Sequence, residues 1–513
     1  LHGSLVLPLS SFVFGGKNTR HQGAFTPMQS KIRSLASDTL VYGVSTVIGR
    51  FMTFMLTPLY SNYMTASEIG AIAGIYSVIA LVNVAYSLGM EPAFMRFWTK
   101  TDELQTRRVF TVAYVSILCL GLVTSGLTIL FAEPIAHSKW LQLDVDGARI
   151  IALASLIPLF DSLVLIPFAQ LRMQRKAKRF AIMRLLTIVI HVALNIVFVV
   201  MWRMGIEGVI WAGIISSGTT FLVFIPDIKR TLTRFFDKQV FTEMLRFGLP
   251  TVPSSFSSVM VAVVDRPIML LLTSQAMVGM YQTNFRLAIP MMLFVQVFEY
   301  AWRPFYLHHR DDPDAKQTFA RVLTLFTVAC GFVFLITALF MPYVVQLPGI
   351  GGRFINPDYW SGLVIVPIVL VAYYLNGIAI NFAAGFNISK NTLRLPIATG
   401  IAAAINVIAT FALVPSMSIT GAAWAKVAAY AASAIVLLHM LRQVYPIRYD
   451  WKRISTIVLC AAAVYVGVLL VPGDMGIQIA ARILAIPVFL GLLLLTRAIG
   501  MSTLLTLRGL VQR

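Results

Sequence analysis

The sequence predicts an all-α polytopic membrane protein with about 14 transmembrane helices, and three observations carry this prediction. Of the 513 residues, 58% are hydrophobic and only 12% are charged, whereas soluble domains contain about 25% charged residues. The apolar residues fall into about fourteen segments of roughly 20 residues, the length that crosses a bilayer. Lysine and arginine concentrate in every second connection between these segments. Translocated loops avoid cationic residues, so this alternation predicts that both termini lie in the cytoplasm.

The charge distribution also explains the formal net charge of +20. The predicted external connections hold few cations, namely Lys139, Arg149, Arg203 and Arg353. The remaining loop cations lie in predicted cytoplasmic connections, where they set topology and contact anionic lipid heads. A nucleic-acid partner is therefore not expected. The three cysteines lie inside apolar segments without metal-ligand or disulfide spacing, which predicts packing roles.

Each predicted span is long enough to cross the hydrocarbon core, and several contain proline, which favours a kink. The predicted spans lie near 39–61, 70–90, 109–131, 150–170, 181–202, 208–226, 244–271, 279–302, 319–341, 361–386, 393–414, 419–441, 454–472 and 478–498.

An internal repeat divides these spans. The stretch Pro58–Gly70 matches Pro267–Gly279 with the same proline-to-glycine spacing, and Asn195 followed by GVIWA matches Asn406 followed by GAAWA. Matches in one order and near-constant register predict two parallel six-helix lobes. The predicted domains are an N-terminal extension (1–37, partly disordered), an N-lobe (38–226), a basic cytoplasmic linker (227–243), a C-lobe (244–442) and a final segment with two further spans and a cytoplasmic tail (443–513).

The loops give no sign of catalysis. The sequence contains no Walker-type lysine loop, no HExxH pair and no GxSxG turn. The glycine-rich run at 349–354 lies in a predicted external loop and is interpreted as a flexible turn. His191 and the pair His308–His309 are interpreted as packing or interfacial residues. The chain is therefore predicted not to be an enzyme.

Charged residues inside the spans are the candidate functional residues. Each costs about 2.5–3.5 kcal/mol at the bilayer centre, so it is expected to face a cavity, a partner or a permeant. The cations outnumber the acids, which predicts an anionic group on the permeant. Asp265 and Arg266 also suit a simple ion pair, and Asp161 or Asp265 could bind H⁺ or Na⁺ as a coupling ion. The cations are Arg50, Arg266, Arg286, Lys426 and Arg482, and the acids are Asp161, Asp265 and Glu299.

Two segments identify a family. The opening DTLVYGVSTVIGRFMTFMLTPLYSNYM and the later VVDRPIMLLLTSQAMVGMYQTNFRLAIPM resemble the Wzx-type lipid-linked oligosaccharide flippases. This polysaccharide-transporter family belongs to the multidrug/oligosaccharidyl-lipid/polysaccharide exporter superfamily. The resemblance implies two lobes around a central cavity that works by alternating access. It implies a polyprenyl-diphosphate-linked glycan such as O-antigen as cargo, moved to the outer leaflet of the bacterial inner membrane.

The resemblance also assigns roles to residues. By position, the diphosphate-binding role falls on Arg50, Arg266, Arg286 and, in the second repeat, Lys426. No resident cofactor is implied, and glycan polymerase machinery is a candidate partner.

Physical chemistry agrees with this assignment. A headgroup with two phosphates and several sugars loses its hydration in hydrocarbon, and a cationic, hydrated cavity replaces that water. Arginine suits phosphate because its planar fork donates two hydrogen bonds at once. Candidate sugar contacts are Asn83, Gln282, Asn284, Asn376 and Asn381.

Two other functions are compatible with the sequence. A cation-coupled multidrug exporter of the same superfamily should have an acidic cavity and twelve spans, which differs from this chain. A non-transporting membrane scaffold, such as an assembly partner, also stays open from the sequence alone. A membrane-embedded glycan polymerase needs a large catalytic external loop, and no predicted loop is long enough. The glycan and the driving force stay open at this stage.

Overall fold

The computed structural model describes residue 43 and residues 46–143 and 146–498. Almost all of this part of the chain is helical, so the predicted all-α membrane fold is confirmed. The predicted N-terminal extension, 1–37, and the end of the predicted tail, 499–513, lie outside the described residues.

The first half of the chain runs from α1 (46–54) to a long helix that ends at Thr231. A π-helical stretch, Ile196–Met201, extends the helix that ends at Asn195. The helices are α2 (Leu56–Tyr63), α3 (Ala66–Ser87), α4 (Met90–Phe97), α5 (Glu103–Leu130), α6 (Ala132–Ala136), α7 (Gly147–Ala154), α8 (Leu156–Met173), α9 (Ala177–Asn195) and α10 (Gly205–Thr231).

Only six residues, 232–237, separate this helix from the second half, so the predicted linker, 227–243, is largely helical. Short 3₁₀ turns, Leu249–Thr251, Pro357–Val364 and Thr392–Arg394, join some of its helices. Its elements are α11 (Lys238–Gly248), α12 (Val252–Val263), α13 (Asp265–Leu272), α14 (Gln275–Arg286), α15 (Ile289–His308), α16 (Ala315–Val344), β1 (Pro348–Gly349), β2 (Gly352–Arg353), α17 (Ile365–Ile388), α18 (Leu395–Val444), α19 (Trp451–Leu469) and α20 (Met475–Leu495).

The helices follow one another in the order of the predicted spans. Breaks within helices account for most of the difference between the predicted and the observed number of spans. In the described residues, 10 helices are long and apolar enough to cross a membrane, or 11 if the bent pair Lys238–Val263 and Asp265–Leu272 is one span. Ser418, with φ 51° and ψ −127°, divides α18 into two helices. The eighth predicted span is broken between α14 and α15, and the first lies partly outside the described residues.

The bend in the seventh span has a local cause. α12 and α13 meet at an angle of 52°, and Pro267 stands third in α13. Proline has no N–H to donate to the carbonyl four residues earlier, Val263, so the helix cannot continue straight through this point. The last carbonyls of α12 are then available to side chains from other helices.

The two halves meet most closely where α3 crosses α14. A Cβ atom built on Gly70 would lie 1.8 Å from the carbonyl oxygen of Gln275, and one on Gly279 would lie 1.8 Å from that of Ala66. These residues occupy matching positions in the predicted repeat. Only glycine leaves space for this backbone contact.

This contact predicts a stability defect in Gly70→Ala. The added methyl group must push two helix backbones apart, and overpacking of this kind costs about 1–3 kcal/mol. The melting temperature of the detergent-purified protein is expected to fall. Gly126→Ala is the matched control, because nothing lies within 4 Å of a Cβ at that position. Equal melting temperatures for the two variants would contradict the close contact.

A closing segment, residues 347–360, packs one half of the chain onto the other. Its predicted flexible turn is instead a two-stranded hairpin, in which Pro348 pairs with Arg353 and Gly349 with Gly352. The Asn62 amide donates to the Arg353 carbonyl at 2.7 Å, and the Tyr359 hydroxyl donates to the Met64 carbonyl at 3.2 Å. The segment therefore covers the end of α2 at the side predicted to be external.

Candidate functional site

A cavity of about 530 Å³ lies between the two halves, lined by residues of α1, α9, α13, α14, α15 and α17. A second cavity of about 270 Å³ shares Thr53, Arg266, Gln282 and Arg286 with it. Among the described residues, no aspartate or glutamate lines either cavity. The cationic residues that line the larger cavity are Arg50, Arg184, Arg266 and Arg286.

Arg286 ends α14 and lines both cavities. It is half-buried and has no hydrogen-bond or ion-pair partner within the described part of the chain. Tyr60 and Tyr76 line the smaller cavity with it. The guanidinium is therefore available to an anion that enters the cavity.

Arg50 and Arg184 line the larger cavity from α1 and α9. The Arg50 Nη1 donates a weak hydrogen bond to the sulfur of Met292 at 3.5 Å. The Arg184 guanidinium carbon lies 5.2 Å from the centroid of the Phe168 ring. Neither arginine forms a salt bridge in the described residues, although Arg50 interacts electrostatically with Glu299 and Arg184 with Asp161.

Arg266 is held in place by several contacts. Its Nη1 donates to Asp265 Oδ1 at 2.9 Å and to the Ala262 carbonyl at 2.6 Å. Its Nε donates to Gln282 Oε1 at 2.9 Å, and its guanidinium carbon lies 4.9 Å from the centroid of the Phe285 ring. Arg266 thus borders the cavity as a fixed group whose charge is partly balanced.

Lys426 lies elsewhere. It is only 1% exposed and does not line either cavity. Its ammonium nitrogen is 3.2 Å from Asp265 Oδ2, and the Tyr281 hydroxyl donates to the same oxygen at 2.6 Å. The structure therefore brings Arg50, Arg266 and Arg286 together at the cavity but places Lys426 behind Asp265.

The two candidate coupling carboxylates are separated. Asp161 lies on α8 in the first half, where its Oδ1 accepts a hydrogen bond from Ser217 at 2.7 Å. Asp265 is fully buried in the second half between two cations. In the described residues, no group of three or more His, Cys, Asp or Glu side chains is arranged to hold a metal ion.

Arg184 lines the cavity but was not among the predicted site residues, and the candidate sugar contacts lie in different environments. Its position inside the predicted span 181–202 is the signal that marks Arg184 as a charged residue of a span. Gln282, a candidate sugar contact, lines both cavities. Asn284 and Asn381 are buried, and their amides donate to backbone carbonyls instead.

Solved structures share this fold. The lipid II flippase MurJ in its inward closed conformation matches with a TM-score of 0.73 at 15% identity, over 88% of this chain and 98% of that chain. An inward-facing multidrug resistance MATE family transporter of the MOP superfamily matches with a TM-score of 0.62 at 14% identity, over 79% of this chain and 97% of that chain. At these identities the likeness concerns the fold. No curated protein is significantly similar in sequence to the chain.

A family model does match the sequence. It describes polysaccharide biosynthesis proteins and aligns with residues 63–348, which is more than half of the 513 residues. The match agrees with the resemblance to lipid-linked oligosaccharide flippases drawn from the two segments above. The chain therefore belongs to the polysaccharide biosynthesis protein family.

Proposed function

We propose that the protein is a flippase that moves a polyprenyl-diphosphate-linked oligosaccharide from the cytoplasmic to the outer leaflet of the bacterial inner membrane by alternating access. The observation that carries this proposal is the cavity between the halves, lined in the described residues by four arginines and by no carboxylate. Membership of the polysaccharide biosynthesis family supports the class of cargo.

The cavity chemistry suits a diphosphate. Arginine binds phosphate through two parallel hydrogen bonds, and these are stronger than neutral ones because the groups are charged. Arg286, which has no partner in the described structure, is the proposed first contact. Arg50 and Arg184 supply further positive charge, and Arg266, held beside Gln282, supplies a charge of fixed position. The prenyl tail stays in lipid, where it needs no protein polar groups.

The cavity size limits what it holds at one time. A volume of about 530 Å³ falls in the range of about 300–1,000 Å³ typical of small-molecule sites. It accommodates the diphosphate and the sugars next to it rather than a long polymer. A repeat-unit oligosaccharide is therefore the proposed cargo.

The proposed driving force is the membrane potential. Moving one elementary charge across 100 mV changes its energy by about 2.3 kcal/mol. An inside-negative potential favours outward movement of the anionic headgroup, so no coupling ion is required for net transport. Asp161 and Asp265 would then serve structural rather than ion-binding roles.

The decisive experiment is mass spectrometry of lipids that copurify with the protein. A polyprenyl-diphosphate glycan is expected, and an Arg50→Ala/Arg286→Ala double variant, purified at the same level, should retain less of it. Absence of such a lipid together with saturable binding of lipophilic cations would overturn the proposal.

That second outcome would favour a multidrug exporter, the alternative suggested by the shared MATE fold. The cationic cavity argues against it, because positively charged drugs and unpaired arginines repel each other. The same copurification measurement decides between the two functions.

A further inference from the structure

The break in the seventh span creates an oxygen-lined site that Lys426 fills. α12 ends at Val263, and the carbonyls in the last turn of a helix have no partner within the helix. The Lys426 ammonium nitrogen lies 2.6 Å from the Val261 oxygen and 3.3 Å from the Ala262 oxygen. It lies 3.2 Å from Asp265 Oδ2. Three acceptors thus meet the three hydrogens of the ammonium group.

A residue that borders this site carries a fourth oxygen without a partner. Asn406 is fully buried, and its amide nitrogen donates to the same Val261 carbonyl at 3.2 Å. Its Oδ1 is buried and accepts no hydrogen bond in the described part of the chain. A buried carbonyl oxygen that lacks a partner loses the hydration it has in water.

The charges around the site are few. Asp265 is the only carboxylate that contacts Lys426 among the described residues, and its other oxygen accepts from Arg266. Tyr281 donates to the oxygen that faces Lys426. The cluster of Asp265, Arg266 and Lys426 therefore carries one net positive charge. Without the lysine charge it is neutral, and one monovalent cation would restore the present balance.

Two main-chain carbonyls at a broken helix, a carboxylate and an amide oxygen are ligands that hard cations prefer. Discontinuous helices in secondary transporters present such carbonyls to Na⁺. We propose that Lys426 is a tethered cation that occupies this site and prevents the wild-type protein from binding Na⁺ there. Removal of the ammonium group then turns the site into a Na⁺-binding site.

This inference bears on the driving force of the proposed function but does not depend on its cargo. Its test measures the melting temperature of the purified full-length protein in NaCl and in choline chloride of equal ionic strength. The wild type should melt at the same temperature in both salts. Lys426→Ala should melt lower in choline chloride and should gain stability in NaCl with a saturable dependence, as binding to the folded state requires.

The matched control is Lys426→Ala/Asp265→Asn, which lacks the carboxylate and should show no difference between the salts. Equilibrium binding of ²²Na⁺ to the same proteins gives a second readout, with saturable binding expected in Lys426→Ala alone. If Lys426→Ala does not fold, it is replaced by Lys426→Met, whose unbranched side chain lacks the ammonium group and is one atom shorter.

Two results would overturn the inference. One is Na⁺-specific stabilisation of the wild type, which would mean that the lysine does not exclude the ion. The other is an equal response, or no response, in the folded lysine variant and its double-mutant control. Failure to find a lipid-linked glycan would overturn the proposed function and would leave these measurements unaffected.

Discussion

Replacing Arg286 with alanine is expected to lower the initial rate of glycan-lipid flipping by about ten- to a hundredfold. The guanidinium borders both cavities and has no protein partner in the described residues. A hydrogen bond to a charged group contributes about 1.5–3 kcal/mol, and each 1.4 kcal/mol corresponds to a factor of ten. The measurement is flipping of a fluorescent polyprenyl-diphosphate oligosaccharide in proteoliposomes. Arg286→Lys keeps the charge but loses the planar fork, so an intermediate rate is expected.

Arg482→Ala is the matched control for this prediction. Arg482 is also an arginine in a membrane-spanning helix, but its guanidinium carbon lies 4.7 Å from the Tyr343 ring centroid and outside both cavities. Its removal should leave the flipping rate close to that of the wild type. Equal losses in both variants, or full activity of Arg286→Ala at normal protein level, would remove Arg286 from the site.

Asp265→Ala is expected to destabilise the protein by about 3–5 kcal/mol, because removing one partner of a buried ion pair leaves uncompensated charge. Asp265 is fully buried and contacts both Arg266 and Lys426. Without its carboxylate, two buried cations face each other and the Tyr281 hydroxyl loses its acceptor. The expected result is a large fall in melting temperature and in the yield of monodisperse protein.

Two further variants serve as controls for this prediction. Asp311 pairs with Arg310 at the surface and its side chain is 83% exposed, so Asp311→Ala should change stability by only about 0–1 kcal/mol. Asp265→Ala/Lys426→Met removes one of the two uncompensated cations and should recover part of the lost stability. A stable Asp265→Ala protein, or no recovery in the double variant, would show that the charge cluster is not the cause.

The sequence predicted the spans because hydropathy and loop charge depend on residue type alone. It also marked Gly70 and Gly279, since the repeat placed them at matching positions. It did not reveal that Lys426 turns away from the cavity, because a helix that is apolar around most of its circumference has no face that identifies its neighbours. The break at Ser418 was equally invisible, since its backbone conformation depends on how two helices pack.

The crossing of α3 and α14 has a consequence for how fast the molecule can change shape. At Gly70 and Gly279 the helices touch through their backbones, so no side chain interdigitates at the two glycines. Polar contacts between the halves near this crossing include the hydrogen bonds of the closing segment, from Asn62 and Tyr359. They also include those of Gln275, which accepts from Ser67 and donates to the Leu141 and Gln142 carbonyls. Each contributes about 0.5–1.5 kcal/mol, and a difference of a few kcal/mol leaves a minor state populated at about 0.1–10%. A rearrangement that exchanged these hydrogen bonds for others of similar strength would need no input beyond thermal fluctuation on the microsecond-to-millisecond scale.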